Sequence, residues 1–278
     1  MGGEVAPVGD YEPTTMAVEY YNNEVNGVNF TIIDTPGLCD DLGEKGNDYD
    51  YLELMRSEID QVDSTWFVTR LDDTRVTRDE KDGIRLISEA FGEEVWEQAI
   101  IVFTFAGNVP PEKYRTALKE RTRLIREEIA KYADTTVAKQ IPSVAVDNTR
   151  PTTPDGKRWL NKLYTQVYVR MSTQGSMPFL MSTVHRIKRP ESQIVYVPSP
   201  DYSYYSAARP NYPEPDWKKE PIELDYDDRR MLGNKILEST AGGAAIGAAV
   251  GLFAGPAGAA VGGVIGGVIG LVGGLFAD

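Results

Sequence analysis

The chain has 278 residues, 41% of them apolar, enough for one substantial core with appendages. Acidic residues outnumber basic ones 42 to 29, and a net charge of -13 repels phosphate backbones, which argues against nucleic acid as a partner. A single cysteine, Cys39, excludes an intramolecular disulfide framework, and a single His185 without companions argues against a structural zinc site, so the composition suits a reducing compartment.

Residues 1 to 13 carry acidic groups and no apolar run, unlike a secretory signal or an arginine-rich transit peptide. Up to about residue 170, strand-like runs alternate with helical periods, the pattern of a parallel sheet wrapped by helices. Thr15 to Tyr21 and Val28 to Ile33 read as strands joined across Asn22 to Gly27. Leu52, Met55, Ile59 and Val62 keep helical spacing, Ser64 to Leu71 is strand-like, and Ile84, Ile87 and Phe91 mark another helix. The apolar run Ala99 to Phe105 predicts a central strand. Pro110 and Pro111 suit the opening of a helix with core positions Tyr114, Leu118, Ile125, Ile129 and Tyr132. Ile141 to Val146 is a last strand, and Trp159, Leu163 and Val167 mark a last helix, closing an expected domain over residues 1–173.

Beyond Gln174 the period is lost. Prolines crowd the stretch from Pro190 to Pro221, and residues 174–235 are expected to be a linker, since proline removes backbone donors and fixes φ. Tyr202, Tyr204 and Tyr205 there are either ordinary linker residues or a recognition patch. Residues 236–278 are expected to form a membrane segment. Ala241 to Ala277 contains no charge and carries glycine at 243, 247, 251 and 255 and again at 258, 262, 266, 270 and 274, a zipper that lets helices approach closely in lipid. Pro256 divides the run, and the longer part, 257–277, matches the roughly 20 residues that span a bilayer. A single anchor and a helical hairpin both fit. Arg229, Arg230 and Lys235 precede the run, which places the body of the protein on the cytosolic side.

The chemistry is carried by Ile32-Ile33-Asp34-Thr35-Pro36-Gly37, a strand running into an Asp-x-x-Gly turn. Nucleoside-triphosphate hydrolases use such a strand-end carboxylate to hold Mg²⁺, and the glycine amide approaches the γ-phosphate with no side chain in the way. Asp34 is therefore the expected metal-side residue and Gly37 the γ-phosphate sensor. Thr14 or Thr15, on the loop before the first strand, is the candidate to complete the Mg²⁺ shell. No Gly-x-x-x-x-Gly-Lys-[Ser/Thr] loop occurs, since Gly156-Lys157 is followed by Arg158, and only thirteen residues precede Thr14. The expectation is a P-loop NTPase-like, three-layer α/β G domain truncated before its first strand and phosphate loop, with a nucleotide-free pseudo-GTPase as the alternative.

These residues resemble the AIG-type G domains, comprising the Toc plastid import-receptor GTPases and the immune-associated nucleotide-binding proteins. The resemblance lies in Ile32 to Leu38, Arg70-Leu71-Asp72-Asp73-Thr74-Arg75-Val76, Phe91-Gly92 with Trp96, Ile100 to Thr104 leading to Pro110-Pro111, and Ile141-Pro142. It implies GTP and Mg²⁺ as ligands, with guanine read by the loop at Thr104-Phe105, where the family commonly has Thr-His, and by Asp147-Asn148, where it often has Glu-Asn. Phenylalanine stacks on a purine but cannot hydrogen-bond it, whereas the Asn148 amide can bond the guanine carbonyl. Arg75 falls where Toc-type domains present an arginine across a nucleotide-facing dimer; the competing reading is a solvated charge paired with Asp72 or Asp79. The expected function is a membrane-anchored GTPase switch regulated by homo- or hetero-dimerisation of G domains. The alternative is a non-catalytic module that docks on intact GTPases at a membrane.

Overall fold

A computed structural model describes residues 18–35, 47–59, 62–188 and 221–239. The chain enters a hairpin of β1 (Glu19–Val25) and β2 (Val28–Asp34), antiparallel from Glu19 opposite Asp34 to Val25 opposite Val28. Its two-residue turn is Asn26-Gly27, with φ of 52° and 79°. A tight hairpin turn whose twist matches its strands needs positive φ at both central residues, and Asn-Gly reaches that region at low cost. This local preference carries the first strand on to Val25, past the expected end at Tyr21, and shortens the turn; Thr15 to Ala17 of the expected strand lie outside the described residues. The hairpin forms its own sheet and packs on α6 (Thr173–Thr183): Phe30 meets Phe179 edge-on at 6.2 Å, and Asn26 Nδ2 donates to Ser182 O at 2.6 Å.

The second sheet is parallel throughout, in the order β3 (Thr65–Arg70), β4 (Ala99–Thr104), β5 (Ser143–Ala145). The central β4 is buried from Ala99 to Phe103 because helices cover both of its faces. Ile101 and Phe103 pack with Ile84 of α2 (Arg78–Phe91) and Ile125 of α3 (Pro111–Ile129), whereas Ile100 and Val102 meet Leu163 and Val167 of α5 (Trp159–Arg170). A continuous apolar strand is what burial on two faces requires. The result is a three-layer α/β fold. α1 (Asn47–Glu58) buries Leu52 and Met55 against Leu86 of α2. Thr77 and Glu80 close a capping box at the start of α2, each side chain accepting from the other's amide at 3.1 and 2.8 Å.

Two further expectations change. Tyr132, placed among the core positions of α3, lies beyond the helix end at Ile129 and is 36% exposed. The stretch read as linker carries α6, the short helix α4 (Thr135–Gln140) having preceded β5, and then α7 (Tyr226–Ser239). Leu180 of α6 and Leu232 and Ile236 of α7 share a core with Tyr164 and Tyr168 of α5, and Ile187 bridges to Ile222. α6 escapes detection because glycine, proline and small hydroxyl residues blur its period; its start is marked by Ser172 Oγ, which accepts from Gly175 N at 3.0 Å. Tyr202, Tyr204, Tyr205 and residues 240–278 lie outside the described residues. Among the described residues, no helix is long and apolar enough to cross a membrane.

Candidate functional site at the carboxyl ends of the parallel strands

Ligands of open α/β sheets bind outside the carboxyl ends of the strands. Three loops meet there, after β3, β4 and β5. Thr104 closes β4 onto β3: its hydroxyl donates to Thr69 O at 3.2 Å, and its carbonyl accepts from Leu71 N at 3.0 Å. Phe105 follows in the left-handed region (φ 56°, ψ 31°), a conformation that costs a non-glycine residue roughly 1–2 kcal/mol and persists only when neighbours over-determine it. Here Ala106 N donates to Val146 O at 3.2 Å and Asn108 N to Phe105 O at 3.0 Å. The Phe105 ring is 48% exposed, with the Arg70 guanidinium carbon 4.0 Å from its centroid.

Arg70 is fully employed. It grips Asp72 with two parallel bonds of 3.0 and 2.8 Å, and Asn108 Nδ2 adds a third bond to Asp72 at 2.9 Å. Burial pushes the Asp72 carboxyl up, but the bonds from Arg70 and Asn108 outweigh it and hold the group below the usual carboxylate range. The partner of Asp72 is thus Arg70. Arg75 is exposed, and no ion pair forms at its guanidinium among the described residues.

Asp147, 4% exposed, is the buried carboxylate of the site. Its Oδ1 accepts from Thr149 N at 2.9 Å and from Thr149 Oγ1 at 2.6 Å, and these bonds hold its pKa below the usual carboxylate value. Its Oδ2 is buried with no hydrogen-bond partner. That oxygen lies against Gly107, where a Cβ would come within 2.2 Å of it. Asn148 is exposed, and Trp159 Nε1 pins the far end of the loop by donating to Arg150 O at 2.7 Å. A cavity of about 320 Å³ borders Gly107, Val109, Asp147, Arg150 and Thr153, within the roughly 300–1,000 Å³ of small-molecule sites.

Thr104, Phe105, Asp147 and Asn148 are therefore gathered at one end of the parallel sheet. Asp34 ends β2 in the hairpin sheet, half-buried opposite Glu19. Thr14, Thr15, Gly37 and Cys39 lie outside the described residues. Among the described residues, no cluster of three or more His, Cys, Asp or Glu side chains forms a metal cage; a Mg²⁺ shared with phosphates and water needs only one or two protein carboxylates. Sequence reasoning missed Thr149 and Gly107, the two residues that shape Asp147. The Asp-x-Thr spacing is the available signal, since aspartate and threonine favour local turns of this kind.

A parallel sheet covered by helices on both faces, with loops gathered at the carboxyl ends of its strands, defines a three-layer α/β domain. The AIG1 family profile matches residues 9–195, more than half of the sequence, and the chain belongs to the AIG1 family. Its relatives include GTP-binding protein A of Dictyostelium discoideum, 30% identical over 107 residues, covering 38% of this chain and 24% of that protein. Translocase of chloroplast 34 of Arabidopsis thaliana is 25% identical over 185 residues, covering 60% of this chain and 58% of that one. Translocase of chloroplast 159 of the same plant is 27% identical over 114 residues, which is 40% of this chain and only 8% of the relative. The chain thus spans well under two thirds of these curated relatives. Among solved structures, Toc33 from Arabidopsis thaliana in complex with Mg²⁺ and GMPPNP superposes with a TM-score of 0.49 at 22% identity, covering 65% of this chain and 75% of that one.

Proposed function

We propose that this chain is the guanine-nucleotide-binding part of a membrane-associated GTPase switch that works through paired G domains. The carrying observation is Asp147. One of its oxygens is held by Thr149 while the other is buried without a partner at the wall of a cavity between the β4 and β5 loops. An unmet buried acceptor costs on the order of 1–3 kcal/mol, which a ligand donor recovers. Guanine offers two adjacent donors, its ring N–H and its amino group, and a carboxylate kept ionised is suited to accept from them; adenine has no such pair on that edge. Phe105 provides an aromatic face beside the site, and the Asn148 amide a further polar contact. Because Gly107 covers Oδ2, entry of the base requires the turn Ala106–Asn108 to shift.

On the phosphate side, Asp34 stands at a strand end before Gly37 and would hold Mg²⁺, with Thr14 or Thr15 completing its shell. The metal supplies charge neutralisation for the phosphates. Arg75, exposed on the loop after β3, would meet the partner domain, and the apolar tail would keep the assembly at a membrane with the G domain on the cytosolic side. The name of the Dictyostelium relative, GTP-binding protein A, favours the same ligand.

The test titrates GDP and ADP, with Mg²⁺, into the chain joined to an upstream strand and Gly-x-x-x-x-Gly-Lys-[Ser/Thr] loop. GDP should bind at least about tenfold tighter than ADP, a difference of about 1.4 kcal/mol, and Asp147→Ala should abolish that preference. Equal affinity for the two nucleotides, or a preference untouched by Asp147→Ala, would remove the base-reading role.

A further inference from the structure

Beneath the loop that carries Arg75 lies a charged residue that neither motif nor resemblance singles out. Arg121 is in the middle of α3, 2% exposed. Its Nη1 donates to Arg75 O at 2.8 Å, and its Nη2 donates to Arg70 O at 3.2 Å and to Glu80 Oε1. One guanidinium therefore ties together the two ends of the Arg70–Arg75 segment. Glu80 is the hub on the other side: it also accepts from Thr77 N at 2.8 Å and from Thr69 Oγ1, so β3, the start of α2 and the centre of α3 meet at one carboxylate. Arg121 Nε is buried and has no partner, and the Phe103 ring lies 5.8 Å from the guanidinium carbon.

As a device for stability this is a poor choice, because burying an ion pair carries a desolvation penalty that an apolar side chain in the same place avoids. A leucine or methionine against Phe103 would fill the space. What an apolar side chain cannot do is offer a planar fork whose donors reach two carbonyls five residues apart. With the carbonyls of Arg70 and Arg75 turned inward to that fork, Leu71 is buried and its amide bonds Thr104 O, and the Arg70 side chain is fixed outward on Asp72 and Phe105. Arg75 is left exposed on a segment whose backbone is held at both ends.

We propose that Arg121 is a positioning residue: it holds the Arg70–Arg75 segment in the shape in which Arg75 meets the partner G domain. The proposal rests on the dimer reading given above. A preformed loop does not have to be ordered on association, so loss of the fork weakens dimerisation without removing any group from the interface.

The experiment compares the full chain in detergent, with GDP and Mg²⁺, as wild type, Arg75→Ala, Arg121→Lys and the double variant, measuring the dimer Kd by sedimentation and amide exchange across residues 71–76. Lysine keeps the charge opposite Glu80 but cannot span both carbonyls. Arg121→Lys and Arg75→Ala should each raise Kd roughly tenfold. The double variant should be no weaker than the worse single one, because both act through one contact. Exchange at residues 71–76 should quicken in Arg121→Lys. A merely structural role for Arg121 would lower the melting temperature and add its effect to that of Arg75→Ala.

If Arg75→Ala weakens the dimer while Arg121→Lys keeps the wild-type Kd, the positioning role is overturned and the dimer reading stands. If Arg75→Ala has no effect, or the wild type does not self-associate, the dimer reading falls and the positioning role with it. Should Arg121→Lys fail to fold, Glu80→Gln takes its place, since its amide oxygen still accepts from Thr77 N while its NH₂ replaces the Oε1 that accepts from Arg121 Nη2 and Thr69 Oγ1. It should raise Kd about threefold, and an unchanged Kd would overturn the proposal.

Discussion

Gly107→Ala separates two effects of opposite sign. The φ of Gly107 lies outside the left-handed region, so the backbone accepts alanine, and a narrower unfolded ensemble alone would stabilise the protein by about 0.4–1 kcal/mol. The new Cβ, however, would stand 2.2 Å from Asp147 Oδ2 and 3.2 Å from its Cγ, well inside contact distance. Asp147 must then turn away, which breaks the bonds its Oδ1 accepts from Thr149 N and Oγ1 at 2.9 and 2.6 Å. Bonds to a charged acceptor contribute about 1.5–3 kcal/mol each, and rehydration in the adjoining cavity returns part of that, so the expected outcome is a net loss of about 1–3 kcal/mol. Urea unfolding of the chain in detergent measures it. In an Asp147→Ala background the obstacle is gone, and Gly107→Ala should become neutral or stabilising by the backbone amount. A stabilised Gly107→Ala in the wild-type background, or an equal loss in both backgrounds, would refute the argument that Gly107 exists to admit the Asp147 carboxylate.

Two further outcomes are expected. Burial raises the pKa of Asp228, with Lys162 at 3.5 Å opposing it, so the folded state holds the proton more tightly than the unfolded one. Stability should therefore fall as pH rises from the unfolded value near ~3.9 through the folded one, and Asp228→Asn should raise the melting temperature at pH ~7 with a gain that vanishes below pH ~3.5. A gain of equal size at both pH values would show that the charge is not the cause. Residues 236–278 fused to a soluble reporter should stay with membranes through carbonate extraction, as a chargeless glycine-spaced run demands. Replacing Gly262, Gly266 and Gly270 with leucine should leave partition intact and weaken crosslinking between copies; release by carbonate, or undiminished crosslinking, would count against the anchor and the zipper respectively.

The sequence determined by itself those features that rest on local periodicity and chain geometry. The apolar run Ala99 to Phe105 announced a central strand, which is β4 over Ala99–Thr104, the spacing of Ile84 and Ile87 announced α2, and Pro110-Pro111 announced the start of α3. The candidate base loops, Thr104-Phe105 and Asp147-Asn148, came from the family resemblance and not from periodicity; the parallel pairing of β4 and β5 then brings the ends of both strands to one side. Tertiary structure decided what separation in the chain conceals. Gly107 faces Asp147 across 40 residues, Arg121 reaches Arg70 and Arg75 across 51 and 46, and α7 finds its core on α5 and α6 beyond a proline-rich stretch. Arg121 illustrates the reason. Among the charges of α3 it is one arginine of several, alike in propensity and in hydropathy. Only the packing of α3 beneath the β3 loop takes it out of water, and burial then obliges its donors to find the two carbonyls that shape the segment bearing Arg75.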